Sequence, residues 1–72
     1  MTFDLNGKKK VQIKNYKGMI LIDIREYWAK DSGQVIPTKK GISISKDLWN
    51  KLKAIIPHID HAISRYENGE GN

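Results

Sequence analysis

The feature that most constrains this sequence is a change in the spacing of its apolar residues at Ser45. Before Ser45, apolar and polar residues alternate, as in Val11-Gln12-Ile13, and a period of two is typical of half-buried strands. After Ser45, apolar residues recur every three or four positions as far as Tyr66, which is the spacing of one helical face. The chain is therefore predicted to form a small sheet followed by one helix, an α+β fold.

The predicted sheet begins with two short strands and a longer one. Phe3 and Leu5 mark the first strand, and the Asn6-Gly7 dipeptide after it favours a tight turn. A second strand, over residues 9–14, leads to a turn at 15–18. The third strand runs over residues 19–28, and because strands usually have about 5–6 residues, it is expected to curve or to contain a bulge.

The end of the sheet is predicted in two pieces. A turn at residues 31–33 leads to a weak strand over 35–38, where Pro37 favours an edge position or a bulge. Residues 39–41, Lys-Lys-Gly, are predicted as a loop. A last short strand is predicted over residues 42–44.

One long helix is predicted after the sheet. Ser45 is its expected N-cap, and Asp47 in the first turn suits the helix dipole. Pro57 removes one backbone hydrogen bond, so the helix is expected either to bend there or to split in two. The predicted domain covers residues 1–66, and residues 67–72 are predicted to be a disordered acidic tail.

A second copy of the chain is the expected support for so small a fold. The chain has 72 residues and no cysteine, so disulfides and thiolate metal sites cannot reinforce its core. The helix has a broader apolar face than its own small sheet needs, although the alternative is that the whole face covers that sheet. We predict a helix-mediated homodimer, with the interface residues Leu52, Ile55, Ile56, Ile59 and Ile63.

The distribution of charge favours a polyanionic partner. Residues 1–53 contain 12 Lys or Arg against 5 Asp or Glu, within a chain of net charge +5. Nucleic acid and an anionic membrane surface are the two candidates. A membrane-surface protein would carry its lysines on an amphipathic helix, whereas here the sheet is more basic than the helix. The charge pattern therefore favours nucleic acid.

Motifs of known enzymes are missing from the sequence, which has neither a phosphate-binding glycine loop nor a nucleophile elbow. Asp23 and Glu26 fall on opposite faces of a strand, so they cannot act as a paired acid and base. His58 and His61 lie at helical spacing but lack a third strong ligand, and we interpret them as surface residues. We therefore expect no enzymatic activity, no metal site and no cofactor.

Lysines and aromatic residues are interleaved along the first 41 residues, a combination that suits single-stranded nucleic acid. Cations neutralise phosphates, and exposed rings stack on bases at about 1–3 kcal/mol each. Tyr16 lies in a turn beside Lys17, whereas Trp28 ends a strand and either stacks on bases or closes the core. We expect the concave side of the sheet to be cationic, with Tyr16 and Trp28 facing outward.

Several segments also carry a family likeness: YKG at 16–18, LIDIREYW at 21–28, KKGISI at 39–44 and LW at 48–49. In order and spacing they resemble the single-stranded-DNA-binding domain of the positive cofactor four transcriptional coactivator family, over about residues 3–66. The resemblance implies a curved four-stranded antiparallel sheet and one long C-terminal helix. It also implies dimers, joined through those helices, whose sheets form paired channels for single strands.

The resemblance implies roles for individual residues as well. Tyr16 corresponds to an aromatic residue that stacks on bases, and Lys17 to a lysine that contacts the DNA backbone. Met19 stands where the family often has a lysine, so one phosphate contact is expected to be lost or to be replaced by Lys8 or Lys10. The complete set of predicted nucleic-acid-binding residues is Lys8, Lys9, Lys14, Tyr16, Lys17, Arg25, Trp28, Lys39 and Lys40.

The predicted function is single-stranded DNA binding with little sequence preference, in transcription, replication or recombination. Eukaryotic family members have a long Ser- and Lys-rich N-terminal region, whereas this sequence begins at the core domain. We therefore expect a stand-alone bacterial or viral version that is cytoplasmic and DNA-associated, or nuclear if the source is eukaryotic. Transcription or replication proteins are expected as further partners, and membranes are not. Two alternatives stay open: a dimeric regulator of duplex DNA, and a protein-interaction adaptor.

Overall fold

The computed structural model describes residues 1–69. The elements in chain order are β1 (Thr2–Asp4), β2 (Lys9–Tyr16), β3 (Met19–Ala29), β4 (Val35–Ser45) and α1 (Lys46–Glu67). Successive strands pair in antiparallel fashion, and the strand order in the sheet is β1-β2-β3-β4. The predicted α+β architecture, a four-stranded antiparallel sheet before one helix, is confirmed.

Side-chain hydrogen bonds fix the turn between β1 and β2. The Asp4 carboxylate accepts a hydrogen bond from the Gly7 N–H at 3.0 Å, and Asn6 Oδ1 accepts one from the Lys9 N–H at 2.8 Å. The predicted first strand and the turn at Asn6-Gly7 are both present. The strand ends at Asp4, however, and Leu5 lies in the turn. The strand stops there because the side chains of Asp4 and Asn6, on either side of Leu5, hydrogen-bond to backbone N–H groups of the turn.

The pairing between β3 and β4 contains a bulge. Arg25 pairs with Gly41, but the next pair along the ladder is Tyr27 with Pro37. One residue of β3, Glu26, therefore lies opposite three residues of β4, 38–40. The sequence predicts a curve or a bulge in the third strand; a bulge is present where that strand pairs with β4, but its extra residues belong to β4. The loop predicted in this region is wrong, because β4 is one continuous strand of 11 residues that absorbs its extra residues without ending.

The strand register gives the sheet one apolar face, which we call the helix face. It carries Phe3, Val11, Ile13, Ile22 and Ile44, and Trp49 of α1 lines an open apolar groove with the first four of them. Within residues 1–69, Ile22 and Ile44 are the buried apolar residues, so the core of a single chain is small.

The opposite face, which we call the groove face, is polar and concave. Residues of both edge strands, Thr2 of β1 and Val35 of β4, line the same groove of about 390 Å³ because the sheet curves around it. The central strands contribute Lys10, Gln12, Lys14 and Tyr16 of β2 and Met19, Leu21, Asp23, Arg25 and Tyr27 of β3 to this face. The predicted curvature of the sheet is confirmed.

The helix α1 begins as predicted, since the Ser45 hydroxyl accepts a hydrogen bond from the Leu48 N–H at 3.2 Å. It continues without a break through Pro57 to Glu67, so the alternative in which Pro57 splits it is wrong. Glu67 is therefore helical, and residues 70–72 of the predicted tail lie outside the described residues. None of the helical structure in residues 1–69 is long and apolar enough to cross a membrane.

Candidate nucleic-acid interface

The turn between β2 and β3 presents an aromatic ring and a lysine together. Lys17 has φ 51° and Gly18 has φ 82°, the left-handed pair found in two-residue hairpin turns. Asn15 Oδ1 braces the turn by accepting a hydrogen bond from the Gly18 N–H at 3.1 Å. Lys17 Nζ lies 5.3 Å from the centroid of the Tyr16 ring, a cation–π distance. The Tyr16 side chain is exposed (58%), so its ring is accessible to a partner.

Lys17 adopts a backbone conformation that residues with a Cβ atom avoid. A left-handed φ costs such residues roughly 1–2 kcal/mol, and the positions of this turn favour Asn, Asp or Gly. Backbone strain of this kind concentrates at functional sites. The turn therefore combines an exposed ring, a cation held beside it and a residue that the fold alone would not favour.

The groove face is organised around a buried carboxylate. Asp23 is only 1% exposed, and it accepts hydrogen bonds from Arg25 Nε at 3.2 Å and Nη2 at 3.1 Å. Lys14 Nζ lies 3.9 Å from the same carboxylate. Arg25 Nη1 donates to the Thr38 carbonyl of the bulge at 2.9 Å. Hydrogen bonding to Asp23 raises the pKa of Arg25 above its ordinary value, and the guanidinium is in any case positively charged throughout the physiological pH range.

Other side chains of the groove face also have partners within the fold. The Tyr27 hydroxyl donates a hydrogen bond to Gln12 Oε1 at 3.1 Å, and Lys10 Nζ lies 3.1 Å from Asp4 Oδ1. Of the predicted nucleic-acid-binding cations, Lys14 and Arg25 lie on this concave side, where Asp23 offsets their charge, whereas Lys9 lies on the opposite side of the sheet. We call the cations that lie in these ion pairs, Lys10, Lys14 and Arg25, the paired cations.

A second set of basic residues has no carboxylate partner among residues 1–69. All of its members are exposed, and they lie in the two turns before β3, at the start of β2 and in the bulge of β4. We call this set the unpaired lysines: Lys8, Lys9, Lys17, Lys39 and Lys40. None of them forms an ion pair within residues 1–69, although Glu26 lies directly opposite Lys9 across β2 and β3, so these cations are available to an anionic partner.

Trp28 lies apart from Tyr16. It is 62% exposed, so the alternative that it closes the core of its own chain is wrong. The register pairs Trp28 with Ile36, and strand alternation places it on the side of the sheet that also carries Lys9, whereas Tyr16 belongs to the groove face. The two rings therefore do not share the concave surface expected from the sequence, because they occupy positions of opposite parity in the sheet.

The apolar face of α1 is largely uncovered. The side chains of Ile55, Ile56, Ile59 and Ile63 are between 39% and 51% exposed, and Leu52 is half-buried. The alternative in which this whole face covers the sheet is wrong, because no residue of α1 is fully buried. An apolar groove of about 280 Å³ opens beside the helix, and its lining residues are Phe3, Val11, Ile13, Ile22 and Trp49.

Two residues with structural roles at this surface were not predicted. On the sequence alone, Asp23 is considered only for a catalytic role, although its place between Ile22 and Ile24, with Arg25 two positions on, is the pattern of a buried ion pair on one strand face. Thr38 bridges the bulge, and nothing in the local sequence indicates that. In the part of the chain that the structure describes, no cluster of His, Asp or Glu is arranged to hold a metal ion.

Comparison with known proteins adds a family to this geometry. The family model described as Transcriptional Coactivator p15 (PC4) matches residues 3–55. This chain is a member of the PC4 family. RNA polymerase II transcriptional coactivator KELP of Arabidopsis thaliana is 41% identical over 64 residues, which cover 89% of this chain and 38% of KELP. The coactivator SUB1 of Saccharomyces cerevisiae is 42% identical over 64 residues, which cover 88% of this chain and 22% of SUB1.

Solved structures of PC4-like chains have the same fold. A MoSub1–DNA complex aligns with a TM-score of 0.79 and 30% identity, covering 96% of this chain and 84% of that one. A MoSub1–ssDNA complex aligns with a TM-score of 0.83 and 31% identity, covering 90% and 77% of the two chains. The PC4-family chain described here thus spans most of each MoSub1 chain, but well under half the length of KELP or SUB1.

Proposed function

We propose that this PC4-family chain binds single-stranded DNA with little sequence preference and acts in transcription. The observation that carries the proposal is the strained turn in which the exposed Tyr16 ring lies beside Lys17. An accessible ring offers a stacking surface to any unpaired base, and an adjacent cation can meet the phosphate of the same nucleotide. The MoSub1 complexes with DNA support the proposal, as do relatives that are named transcriptional coactivators.

The unpaired lysines are the main phosphate contacts in this proposal, because none of them forms an ion pair with a carboxylate of residues 1–69. Tyr16 and Trp28 provide the stacking surfaces, one at the β2–β3 turn and one on the other side of the sheet. Lys14 and Arg25 contribute less, since each is already paired with Asp23. Stacking and phosphate contacts are indifferent to base identity, which is why little sequence preference is expected.

We further propose that the functional unit is a homodimer joined through α1. Apolar side chains exposed along one helix face lose contact with water when a second copy covers them, at about 25 cal/mol per Å² of apolar surface. The substitution Ile59→Asp, which places a charge at the centre of that face, is expected to convert dimers into monomers in sedimentation analysis. Wild-type protein that is already monomeric at micromolar concentration would contradict the dimer.

The origin and cellular location follow the relatives. KELP and SUB1 come from a plant and a yeast, and further relatives come from a nematode and a fly, so these matches do not support a bacterial or viral source. We propose a nuclear role as a non-enzymatic regulator for this chain. Replication and recombination are the less favoured processes, because the names of these relatives refer to transcription.

A competition titration tests the proposed function. Labelled single-stranded DNA bound by the wild-type dimer is challenged with unlabelled single-stranded or duplex DNA of the same sequence, at two salt concentrations. We expect the single strand to compete better at both salts, with weaker binding at the higher salt. Better competition by the duplex would favour a duplex regulator. Absence of binding to either DNA would favour a protein-interaction adaptor.

A further inference from the structure

A single threonine fixes the bulge that carries Lys39 and Lys40. Thr38 Oγ1 donates a hydrogen bond to the Glu26 carbonyl of β3 at 3.0 Å and accepts one from the Lys40 N–H at 3.1 Å. The carbonyl of Thr38 accepts a third, from Arg25 Nη1 at 2.9 Å. Thr38 therefore bonds both to the neighbouring strand and to the backbone of the residue two positions on, across the apex of the bulge.

The other end of the bulge is held by close packing. Gly41 lies so near β3 that a Cβ atom in its place would be 2.6 Å from the Ile24 carbonyl oxygen and 2.7 Å from the Arg25 Cα. Arg25 is itself held by the buried carboxylate of Asp23. The segment between Thr38 and Gly41 is thus anchored at both ends, whereas its lysine side chains remain exposed.

A backbone anchored at both ends is not needed merely to keep lysine side chains in solvent. The anchoring of residues 38–41 therefore points to a function for Lys39 and Lys40. Binding to a flexible segment carries the free-energy cost of ordering that segment, and a segment that folding has already ordered avoids this cost. A pinned backbone with unpaired lysines at its apex is therefore the arrangement expected of a preorganised phosphate contact.

We propose that Thr38 is a positioning residue for DNA binding, which acts by holding the backbone of Lys39 and Lys40 in a fixed bulge. The proposal rests on the proposed function, since it concerns how the same surface attains its affinity. In this proposal Thr38 does not contact the nucleic acid. Its hydroxyl bonds to backbone groups of Glu26 and Lys40, and it affects DNA binding through the positions of Lys39 and Lys40.

The first test compares two substitutions at Thr38. Thr38→Val keeps the branched shape but loses both hydroxyl hydrogen bonds, and it is expected to weaken single-strand binding roughly tenfold. Thr38→Ser keeps the hydroxyl and is expected to bind within about twofold of wild type. Ser32→Ala, which removes a hydroxyl whose 3.5 Å bond to the Gln34 N–H lies in the turn of the same hairpin, is the matched control and is expected to change nothing.

A double-mutant cycle separates positioning from general damage to the fold. In a background that carries Lys39→Ala and Lys40→Ala, Thr38→Val is expected to cause no further loss of affinity, because the groups it positions are gone. A tenfold loss in that background as well would overturn the proposal and would indicate a structural role alone. Unchanged affinity of the Thr38→Val single variant for single-stranded DNA would also overturn the proposal.

Backbone relaxation measured by NMR provides a readout without DNA. In the wild type, the amides of Lys39 and Lys40 are expected to be as ordered as those of the neighbouring strand, and Thr38→Val is expected to make them as mobile as the turn at 31–33. Mobile amides in the wild type would overturn the positioning role even if DNA binds well. Wild-type protein with an ordered bulge but no affinity for single strands would instead overturn the proposed function, and the positioning role with it.

Discussion

The paired cations and the unpaired lysines are the same kinds of residue in two different settings. The paired cations lie on the concave groove face, where Asp4 and Asp23 offset their charge. The unpaired lysines lie in turns, at a strand end and in the bulge, and none of them forms an ion pair within residues 1–69. The cations that take part in ion pairs therefore lie on the groove face, whereas the unpaired lysines lie mainly in turns, at a strand end and in the bulge.

The difference teaches that a count of basic residues does not identify a binding surface. A cation that is hydrogen-bonded to a buried carboxylate stabilises the fold, and turning it toward a phosphate would leave that carboxylate unpaired. An exposed lysine without a partner can neutralise a phosphate and release counterions at no such cost. We expect substitutions in the two sets to affect different measurements, namely stability for one set and DNA binding for the other.

The largest expected effect comes from removing the acid that holds the paired cations. Asp23→Ala leaves Arg25 partly buried without its partner, and we expect the free energy of unfolding to fall by about 2–4 kcal/mol, measured by denaturant titration. Asp31→Ala, in the exposed turn between β3 and β4, is the matched control and should be nearly neutral. Equal stability of the two variants would show that the pairing on the groove face is not structural.

The next effect belongs to the exposed ring beside the unpaired lysines. Tyr16→Ala removes a stacking surface, and we expect it to weaken single-strand binding by about 1–3 kcal/mol while stability changes little. Tyr16→Phe keeps the ring and should bind nearly as wild type. Tyr66→Ala removes an equally exposed ring from the end of α1 and serves as the control, measured by fluorescence anisotropy. Equal losses for the two alanine variants would remove Tyr16 from the interface.

A smaller effect, with opposite signs in two measurements, is expected at Lys17. Lys17→Gly relieves the left-handed backbone, so the free energy of unfolding should rise by about 1 kcal/mol. The same change removes a phosphate contact, so the slope of log K against log salt should become shallower by about 0.7. Lys10→Ala, from the paired cations, should leave that slope unchanged. An equal change of slope in both variants would break the distinction between the two sets.

Much of the fold could be predicted because local patterns and tertiary contacts agree. The change of period at Ser45 placed the boundary between sheet and helix, and the hydroxyl of Ser45 does cap α1. The bulge was predicted from strand length. Its place was not, because Lys39-Lys40-Gly41 has the composition of a loop, and hydrogen bonds from Thr38 and Arg25, together with the close packing of Gly41 on β3, hold it within the strand.

The candidate site could be predicted only in part, because the sequence does not show which face of the sheet each side chain occupies. The residue types were read correctly as basic and aromatic, and both Tyr16 and Trp28 are exposed. Which side of a sheet a residue occupies, however, depends on the register of its strand with its neighbours. Partners from distant positions, such as Asp23 for Lys14, likewise follow from pairing that no local pattern reveals.

The smallest expected effect concerns the exposed pair at the edge of the groove face. A hydrogen bond from Lys10, with a second from the Gly7 N–H, lowers the pKa of Asp4 below its ordinary 3.8. A carboxylate whose pKa is depressed by folding stabilises the folded state above its unfolded pKa, and this contribution disappears as the pH falls through the lower, folded value. Below about pH 4, wild type should therefore lose slightly more thermal stability than Asp4→Asn, which has no carboxylate to protonate.

Because Asp4 is exposed, the difference should be far smaller than the effect of Asp23→Ala. Parallel pH profiles for the two proteins would show that the Lys10–Asp4 pair does not stabilise the fold, and Lys10 would then belong with the unpaired lysines.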